Sequence, residues 1–337
     1  MHRAAVMFLA LVIAGAIAHA QDRAAIGKLL REHHVPAVGV GVLRDGRLQQ
    51  VQVFGELSAG HPAPHDAIFN VASLTKPIVS MLVLRLVSAG EWQLDEPLAR
   101  YWVDPDVAAD PRHKQLTTRH VLSHQTGFPN WRNGKLAFEF DPGTKFQYSG
   151  EGFEYLREAL ERKFGKSLAQ LSRERLLAPL GMNDTHHAWD EHVDEARFAR
   201  WHDETGKNAY TDFKITTVNA ADNLLTTIED YGRFAEAVLR NDGLLPAVAA
   251  EMVKPQVQVR DKLHMGLGWE VHTGFSNGEY ALIHSGSDQG VHAVIILTPK
   301  SGQGLIVMTN GDRGFQLYER LVRDSLDLGS EIMARAK

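Results

Sequence analysis

One stretch organises this chain, Phe69-Asn-Val-Ala-Ser73-Leu-Thr-Lys76-Pro77, and an apolar run over residues 78–87 follows it. Pro77 has no amide hydrogen and is tolerated only near the first turn of a helix, so the run predicts a helix that begins close to Lys76. Residues three apart share a helix face, which brings the Lys76 amine within reach of the Ser73 hydroxyl. The electropositive helix end favours an alkoxide and a neutral amine. A serine beside a neutral lysine can act as a nucleophile near neutral pH.

A second serine competes for this role. The stretch Gly274-Phe-Ser276-Asn-Gly278 matches the nucleophile elbow of α/β-hydrolases, which requires a sharp strand-to-helix turn. Here Asn277-Gly278 is a hairpin signal, and the residues that follow it are strand-like. The roughly sixty remaining residues also lack an Asp and a His at the separation that this fold needs. We therefore expect Ser276 to be a turn residue and Ser73 to be the nucleophile.

Composition and charge narrow the class of protein. The 337 residues are 44% hydrophobic, which is enough for one large domain or two small ones. A net charge of −5 without a basic run predicts no nucleic-acid partner. Cysteine is absent, which excludes disulfides, thiolate metal sites and a lipoprotein anchor.

The N-terminus has the layout of a secretory signal peptide. His2 and Arg3 precede an apolar run over residues 4–17 and then Ala18-His-Ala20, which predicts cleavage after Ala20. A membrane anchor is the alternative, although the run is short for a spanning helix. We expect a mature domain over residues 21–337 that is periplasmic or secreted and monomeric. It would act on a small-molecule or peptide substrate, without a cofactor and without a membrane anchor after cleavage.

The secondary-structure pattern predicts an α+β fold. Strands are expected over residues 37–43, 49–54, 266–271, 280–284, 291–297 and 304–309, with a hairpin at Asp45-Gly46. Helices are expected over residues 24–32, 78–90, 116–127, 152–163, 168–177, 228–239, 245–252 and 316–333. Residues 186–221 suggest a loop-rich surface excursion. The terminal strands would form one antiparallel sheet (about 21–70 and 255–337), and a mainly helical part (about 78–250) would be inserted in its middle.

Two histidines, His120 and His124, are four residues apart in the helix predicted over 116–127. This spacing can place two metal ligands on one helix face. No glutamate stands where a metalloprotease needs its base, and no third ligand is evident. We therefore expect both histidines to be structural and the chain to bind no metal.

Three motifs in a fixed order carry a family resemblance. They are Ser73-Leu-Thr-Lys76, Tyr148-Ser149-Gly150 and His284-Ser285-Gly286. With them, the sequence resembles the serine β-lactamase and penicillin-binding superfamily. It is most similar to the branch that contains class C β-lactamases, D-alanyl-D-alanine carboxypeptidases and family VIII esterases. Supporting stretches are Leu122–Gly127, Pro142-Gly143, Leu180–Met182 and Gly266–Trp269. The resemblance implies a β-lactamase-like fold over nearly all of the chain after residue 20.

The resemblance also implies a role for each motif. Ser73 would be acylated, while Lys76 and Tyr148 would transfer protons to and from the reacting groups. A phenol titrates near ~10, so Tyr148 acts as a base only if cations lower its pKa, and Lys76 and a protonated His284 are the candidates. The backbone amides of Ser73 and Ser287 would form the oxyanion hole. Ser285 and Gly286 would line the strand edge on which the substrate lies.

Two departures from the family pattern bear on the substrate. Gly150 stands where the family usually has an asparagine that contacts the lysine and the substrate's amide. His284 replaces the lysine with which class C β-lactamases bind a carboxylate, as in some peptidases and esterases of the superfamily. Both changes favour an ester or a small amide over a β-lactam. Two alternatives stay open: a D-alanyl-D-alanine carboxypeptidase or weak β-lactamase, and a non-catalytic relative that binds cell-wall peptides or a partner protein.

Overall fold

The computed structural model describes residues 23–335. The strands are β1 (Ala37–Arg44), β2 (Arg47–Ser58), β3 (His61–Pro62), β4 (Phe69–Asn70), β5 (Leu225–Thr226), β6 (Val257–Arg260), β7 (Leu263–Met265), β8 (Glu270–His272), β9 (Ala281–Asp288), β10 (Val291–Thr298) and β11 (Gln303–Thr309). The helices are α1 (residues 23–33), α2 (Thr75–Ser88), α3 (Thr118–Leu122), α4 (Gly150–Phe164), α5 (Leu168–Ser172), α6 (Ala178–Leu180), α7 (Ile228–Leu239), α8 (Pro246–Val253), α9 (Tyr318–Ser325) and α10 (Gly329–Arg335).

Strands from both ends of the described chain form one antiparallel sheet, with the order β3-β2-β1-β11-β10-β9-β8-β7-β6. The β1–β2 hairpin turns at Asp45 and Gly46, whose φ angles of 52° and 69° suit a two-residue turn. On its other side β1 pairs with β11, in a register that places Val38 opposite Thr309. The predicted α+β fold, with a sheet built from the two termini, is therefore confirmed.

The sheet separates two apolar layers. Val38, Val40 and Val42 of β1 belong to a core shared with the N- and C-terminal helices. Glycines alternate with them, and Gly39 and Gly41 let Ile228 of α7 pack directly on the opposite face. Beyond that face lies the larger core, in which α2 is buried along most of its length. The helix that carries Lys76 is thus a central helix of the domain.

Some boundaries differ from those the sequence predicts. The helix predicted over 116–127 ends at Leu122, because His124 adopts a positive φ of 54° and the chain turns there. The helix predicted over 316–333 is split into α9 and α10 by Leu326, whose backbone is extended. The strand predicted over 266–271 is a turn over its first residues, with Gly268 at a φ of 84°, and β6 was not predicted.

Residues 186–221 contain little regular structure, as predicted, yet they hold a small aromatic cluster. The rings of Phe198 and Phe213 stack with centroids 5.5 Å apart, and Trp189 meets both edge-on. Within residues 23–335 no helix combines the length and the apolar character needed to cross a membrane. The predicted signal peptide lies outside the described residues, and the predicted division of the domain stays a prediction.

Candidate active site

Ser73 lies in a 3₁₀ turn, Ala72–Leu74, directly before α2. Ala72 has a positive φ of 45°, which is a strained conformation for a residue with a side chain and costs about 1 kcal/mol or more. The buried Asn70 side chain holds this turn, since it accepts a 2.7 Å hydrogen bond from the Ala72 amide. Thr75 Oγ1 also donates to the Ala72 carbonyl at 2.7 Å. The serine is therefore presented by a turn that its neighbours fix in place.

Lys76 is buried, with only 1% of its surface exposed, and its Nζ lies 3.1 Å from Ser73 Oγ. Nζ also donates a 2.9 Å hydrogen bond to the Ala221 carbonyl. Burial lowers the pKa of Lys76 to about 7, against the opposing effect of the Asp222 and Glu154 carboxylates. The predicted pair is thus present with a lysine that is readily neutral near pH 7, and desolvation is the main cause.

Tyr148 contacts both Ser73 and Lys76. Its hydroxyl is hydrogen-bonded to the Ser73 side chain, and Lys76 Nζ lies 4.6 Å from the centroid of its ring. Burial raises the pKa of Tyr148 above its usual value, and the bond from Ser73 only partly offsets this effect. The expectation that neighbouring cations lower the pKa of Tyr148 is therefore wrong in this geometry. The phenol is thus protonated in the resting site.

His124 positions Tyr148, a role that the sequence did not reveal. The two rings stack with centroids 4.3 Å apart, and His124 Nδ1 accepts a 3.1 Å hydrogen bond from the Ser149 amide. Burial holds the pKa of His124 well below its usual value, so the ring is neutral. His120 instead packs beneath Gly143. The two histidines therefore have different partners, and residues 23–335 contain no cluster of three His, Cys, Asp or Glu side chains placed to bind a metal.

Strand β9 brings the third motif to the serine turn. Gly286 is pressed against this turn: a Cβ at this position would lie 2.2 Å from the Val71 carbonyl oxygen and 3.1 Å from the Ser73 amide nitrogen. Strand β8 pairs only with residues 281–283, so in the described chain residues 284–288 have no strand partner on that side. Ser285 and Ser287 are exposed there. The sequence suggested that Gly286 makes room for the substrate. In the structure Gly286 instead makes room for the turn that carries Ser73.

His284 is buried beside this edge, and its ring centroid lies 6.4 Å from that of Tyr148. Its Nδ1 lies 2.9 Å from the Ser285 carbonyl oxygen, to which it donates a hydrogen bond. Burial, assisted by the nearby Lys76, lowers the pKa of His284 to about 4, although Glu270 acts in the opposite direction. His284 is therefore neutral at pH 7. The expectation that a protonated His284 supplies positive charge to Tyr148 is wrong.

Asp222 is a further residue of the site that sequence reasoning missed. It follows Ala221, whose carbonyl binds Lys76, and it accepts a 2.8 Å hydrogen bond from the Asn223 amide. Burial raises the pKa of Asp222 to about 6, and Asp288 adds to this effect while Lys76 opposes it. The only signal in the sequence was an acidic residue at the end of a polar loop, which does not indicate proximity to Lys76.

Ser276 lies outside this cluster. It is exposed in the turn before β9, where its amide and hydroxyl both donate to the Glu331 carboxylate. These hydrogen bonds lower the pKa of the Glu331 carboxylate, which makes it a weak base for the Ser276 hydroxyl. The structure thus brings Ser73, Lys76, Tyr148 and Gly286 together and leaves the competing serine apart.

Comparisons with known proteins agree with this geometry. A family model described as "Beta-lactamase" matches residues 22–327. The chain is 27% identical to penicillin-binding protein 4 of Amycolatopsis lactamdurans, over 92% of this chain and 89% of that protein. It is 30% identical to esterase EstB of Burkholderia gladioli, but over only 48% of this chain and 49% of the esterase. The penicillin-binding protein homologue of Pyrococcus abyssi superposes with a TM-score of 0.75 at 21% identity, over 86% of this chain and 73% of that one.

Proposed function

We propose, since the chain belongs to the β-lactamase family, that it is a serine hydrolase that cleaves an ester or a small amide through an acyl-serine intermediate. The proposal rests on one observation. Ser73 Oγ lies 3.1 Å from the amine of a buried Lys76 whose pKa is lowered to about 7. A buried lysine with a lowered pKa beside a hydroxyl is expected of a nucleophile with its base, whereas a structural lysine would be paired and charged.

The first step uses Lys76 as the base. The neutral amine takes the proton of the Ser73 hydroxyl while Oγ forms a bond to the substrate's carbonyl carbon. The carbonyl electron pair moves to oxygen, and the backbone amides of Ser73 and Ser287 are the donors proposed for that oxyanion. The close approach of Gly286 to the Ser73 amide supports this placement, because it brings β9 against the serine turn.

Tyr148 acts as the acid in the second step. Its raised pKa keeps it protonated, so it can donate its proton to the leaving alkoxide or amine as the bond to the carbonyl carbon breaks. After acylation Lys76 holds the proton of Ser73, and Tyr148 is a phenolate. In deacylation the phenolate takes a proton from water as the water oxygen bonds to the acyl carbon, and Lys76 returns its proton to Ser73 Oγ as the acyl–oxygen bond breaks, which restores both groups. His124 supports both steps by holding the Tyr148 ring in place.

The neutral His284 bears on the choice of substrate. A class C β-lactamase uses a lysine at this position to bind the substrate's carboxylate, and a histidine with a pKa of about 4 does not supply a cation at pH 7. Gly150 likewise offers no side-chain amide. The β-lactamase alternative is therefore less well supported than an esterase, whereas a histidine at position 284 is compatible with a D-alanyl peptidase. The intact Ser73, Lys76 and Tyr148 argue against a purely binding role.

Labelling distinguishes these functions. The protein is incubated with a fluorophosphonate and, separately, with a fluorescent penicillin, and the adduct is mapped by peptide mass spectrometry. A phosphonate adduct on Ser73 without penicillin labelling supports an esterase, and labelling by both probes indicates a penicillin-recognising enzyme. No adduct on a folded protein would refute the hydrolase. Ser73→Ala should abolish hydrolysis of p-nitrophenyl acetate, and the matched variant Ser276→Ala should retain it.

We further propose that the protein is exported to the periplasm or the medium and acts there as a monomer on a small-molecule or peptide substrate. Export rests on the N-terminal sequence alone. N-terminal sequencing of protein from the periplasmic fraction should find Gln21 as the first residue. An uncleaved Met1 in the cytoplasm would contradict it.

A further inference from the structure

The turn between β9 and β10 begins two residues beyond Ser287, whose backbone amide is the second donor proposed for the oxyanion. The strand register leaves a two-residue turn, Gln289-Gly290, and makes Ser287 and His292 the second pair from it. Pairs in an antiparallel ladder alternate between bonded and non-bonded types, and the pair that closes a two-residue turn is bonded. The amide of Ser287 therefore points away from β10, toward the opposite edge of β9. A shift of the turn would shift this amide.

Asp312 binds the turn from the loop that follows β11. Its Oδ1 accepts a 2.5 Å hydrogen bond from the Gly290 amide, and its Oδ2 accepts a 2.8 Å hydrogen bond from the Tyr210 hydroxyl. Its backbone carbonyl accepts a 2.9 Å hydrogen bond from Nε2 of His292, the residue paired with Ser287. Asp312 is thus bonded both to the turn and to the strand residue opposite the proposed oxyanion donor.

Residues of the loop-rich excursion over 186–221 pack against the same turn. A Cβ added to Gly290, whose φ is 69°, would lie 2.5 Å from Trp201 Cβ and 3.0 Å from the His202 nitrogen. The Asp312 amide donates to the His202 carbonyl at 3.1 Å, and the Tyr210 amide donates to the Trp201 carbonyl at 2.8 Å. The turn therefore contacts both the excursion and the loop after β11, and Asp312 is hydrogen-bonded to all three segments.

We infer that Asp312 is a positioning residue for the proposed reaction: it holds the β9–β10 turn so that the Ser287 amide faces the developing oxyanion. The inference rests on the proposed function, in which that amide is a donor. Aspartate suits the task because its two oxygens accept from two donors on different segments, the Gly290 amide and the Tyr210 hydroxyl. Asparagine can keep both bonds, since its oxygen accepts from the amide and its NH₂ donates to the phenol oxygen. The inferred role is thus one of position and not of charge.

The test measures kcat and KM for p-nitrophenyl acetate in variants of Asp312. Asp312→Ala should lower kcat about 10-fold with KM within about 2-fold, because acylation and deacylation both develop an oxyanion and a displaced donor weakens both transition states. The loss should be smaller than the roughly 100- to 1,000-fold loss of a whole donor, since the Ser287 amide is still present. Asp312→Asn should stay within about 3-fold of wild type. Asp312→Glu keeps the charge but lengthens the side chain, so it should lose kcat as the alanine variant does.

Glu279 provides the matched control. Its carboxylate accepts a 2.7 Å hydrogen bond from the Ser301 amide, in the turn between β10 and β11 at the other end of β10. Glu279→Ala therefore removes the same kind of bond to the same kind of turn. It should lower the free energy of unfolding at least as much as Asp312→Ala does, and it should leave kcat within about 2-fold of wild type.

Three results would overturn the inference and leave the proposed function standing. They are a kcat of Asp312→Ala within about 2-fold of wild type, an equal loss of kcat in Asp312→Ala and Glu279→Ala, and a loss in Asp312→Asn as large as that in Asp312→Ala. If Asp312→Ala does not fold, equal kcat values for Asp312→Asn and Asp312→Glu would overturn it instead.

The pH profile separates the oxyanion edge from the base. The charges that act on the pKa of Lys76 are those of Asp222 and Glu154, so kcat/KM should rise with pH through the same midpoint, near pH 7, in every Asp312 variant. A shifted midpoint would assign the loss to Lys76 and overturn the inference. If the wild type neither hydrolyses the ester nor reacts with the fluorophosphonate, the proposed function fails and the inference fails with it.

Discussion

Replacing Gly286 by alanine tests the contact between β9 and the serine turn. The added Cβ would lie 2.2 Å from the Val71 carbonyl oxygen and 3.1 Å from the Ser73 nitrogen. An ordinary carbon–oxygen contact is about 3.4 Å, so strand and turn must separate by about 1 Å. The turn cannot easily yield, because the Val71 amide donates to the Leu224 carbonyl at 3.0 Å and Asn70 holds Ala72.

That separation has two measurable consequences. Overpacking of this kind costs about 1–3 kcal/mol of folding stability. A displacement of about 1 Å between nucleophile and oxyanion donors lowers catalysis roughly 100-fold. We therefore expect kcat/KM of Gly286→Ala for p-nitrophenyl acetate to fall by about two orders of magnitude, with a moderate decrease in the free energy of unfolding.

The assay pairs initial rates with urea unfolding followed by circular dichroism. Gly27→Ala is the control, since its Cβ would meet only a flexible arginine end at 3.5 Å, and it should be neutral or slightly stabilising. A folded Gly286→Ala enzyme with a kcat/KM within a few fold of wild type would refute the proposed role of this edge as an oxyanion donor. A loss of activity explained fully by unfolding would refute it as well.

Two further predictions concern titration. Activity needs the neutral amine of Lys76, so kcat/KM should rise with pH through the pKa of Lys76, near pH 7. The Asp222 carboxylate raises that pKa. Asp222→Asn should therefore move this rise in kcat/KM down by about one pH unit. A rise that stays in place or moves up would contradict Lys76 as the base. His187 is buried and has no hydrogen-bond partner among residues 23–335, and burial lowers its pKa from 6.5 to about 4. The unfolded state then binds more protons between those values, so up to about 3 kcal/mol of stability should be lost from pH 6.5 to 4. His187→Leu should reduce this loss in urea titrations at pH 7 and 4.5, whereas substitution of the exposed His192 should not.

The sheet could be predicted because its signals are local. Residues 37–44 form a nearly continuous apolar run bounded by Asp45-Gly46, and such a run between turn signals has few alternatives to a buried strand. The errors came where tertiary contacts override local pattern. The helix predicted over 116–127 stops early because the backbone of His124 belongs to a turn that positions Tyr148. The His124 carbonyl accepts a 2.8 Å hydrogen bond from the Gln147 amide. No property of the sequence around His124 encodes that contact.

The sequence identified the main residues of the candidate site, but it did not predict the direction in which the folded chain shifts the pKa of Tyr148. The sequence suggested that the helix end would keep Lys76 neutral and that neighbouring cations would lower the pKa of Tyr148. In the folded chain Lys76 is 1% exposed, and burial favours the neutral form of the amine, the phenol and His284 together. A helix terminus changes the free energy of a nearby charge by roughly 0.3–1 kcal/mol, which is less than about one pKa unit, whereas burial can shift a pKa by several units. Desolvation therefore decides the outcome: it makes Lys76 the group that accepts the serine's proton and keeps Tyr148 as the group that donates one.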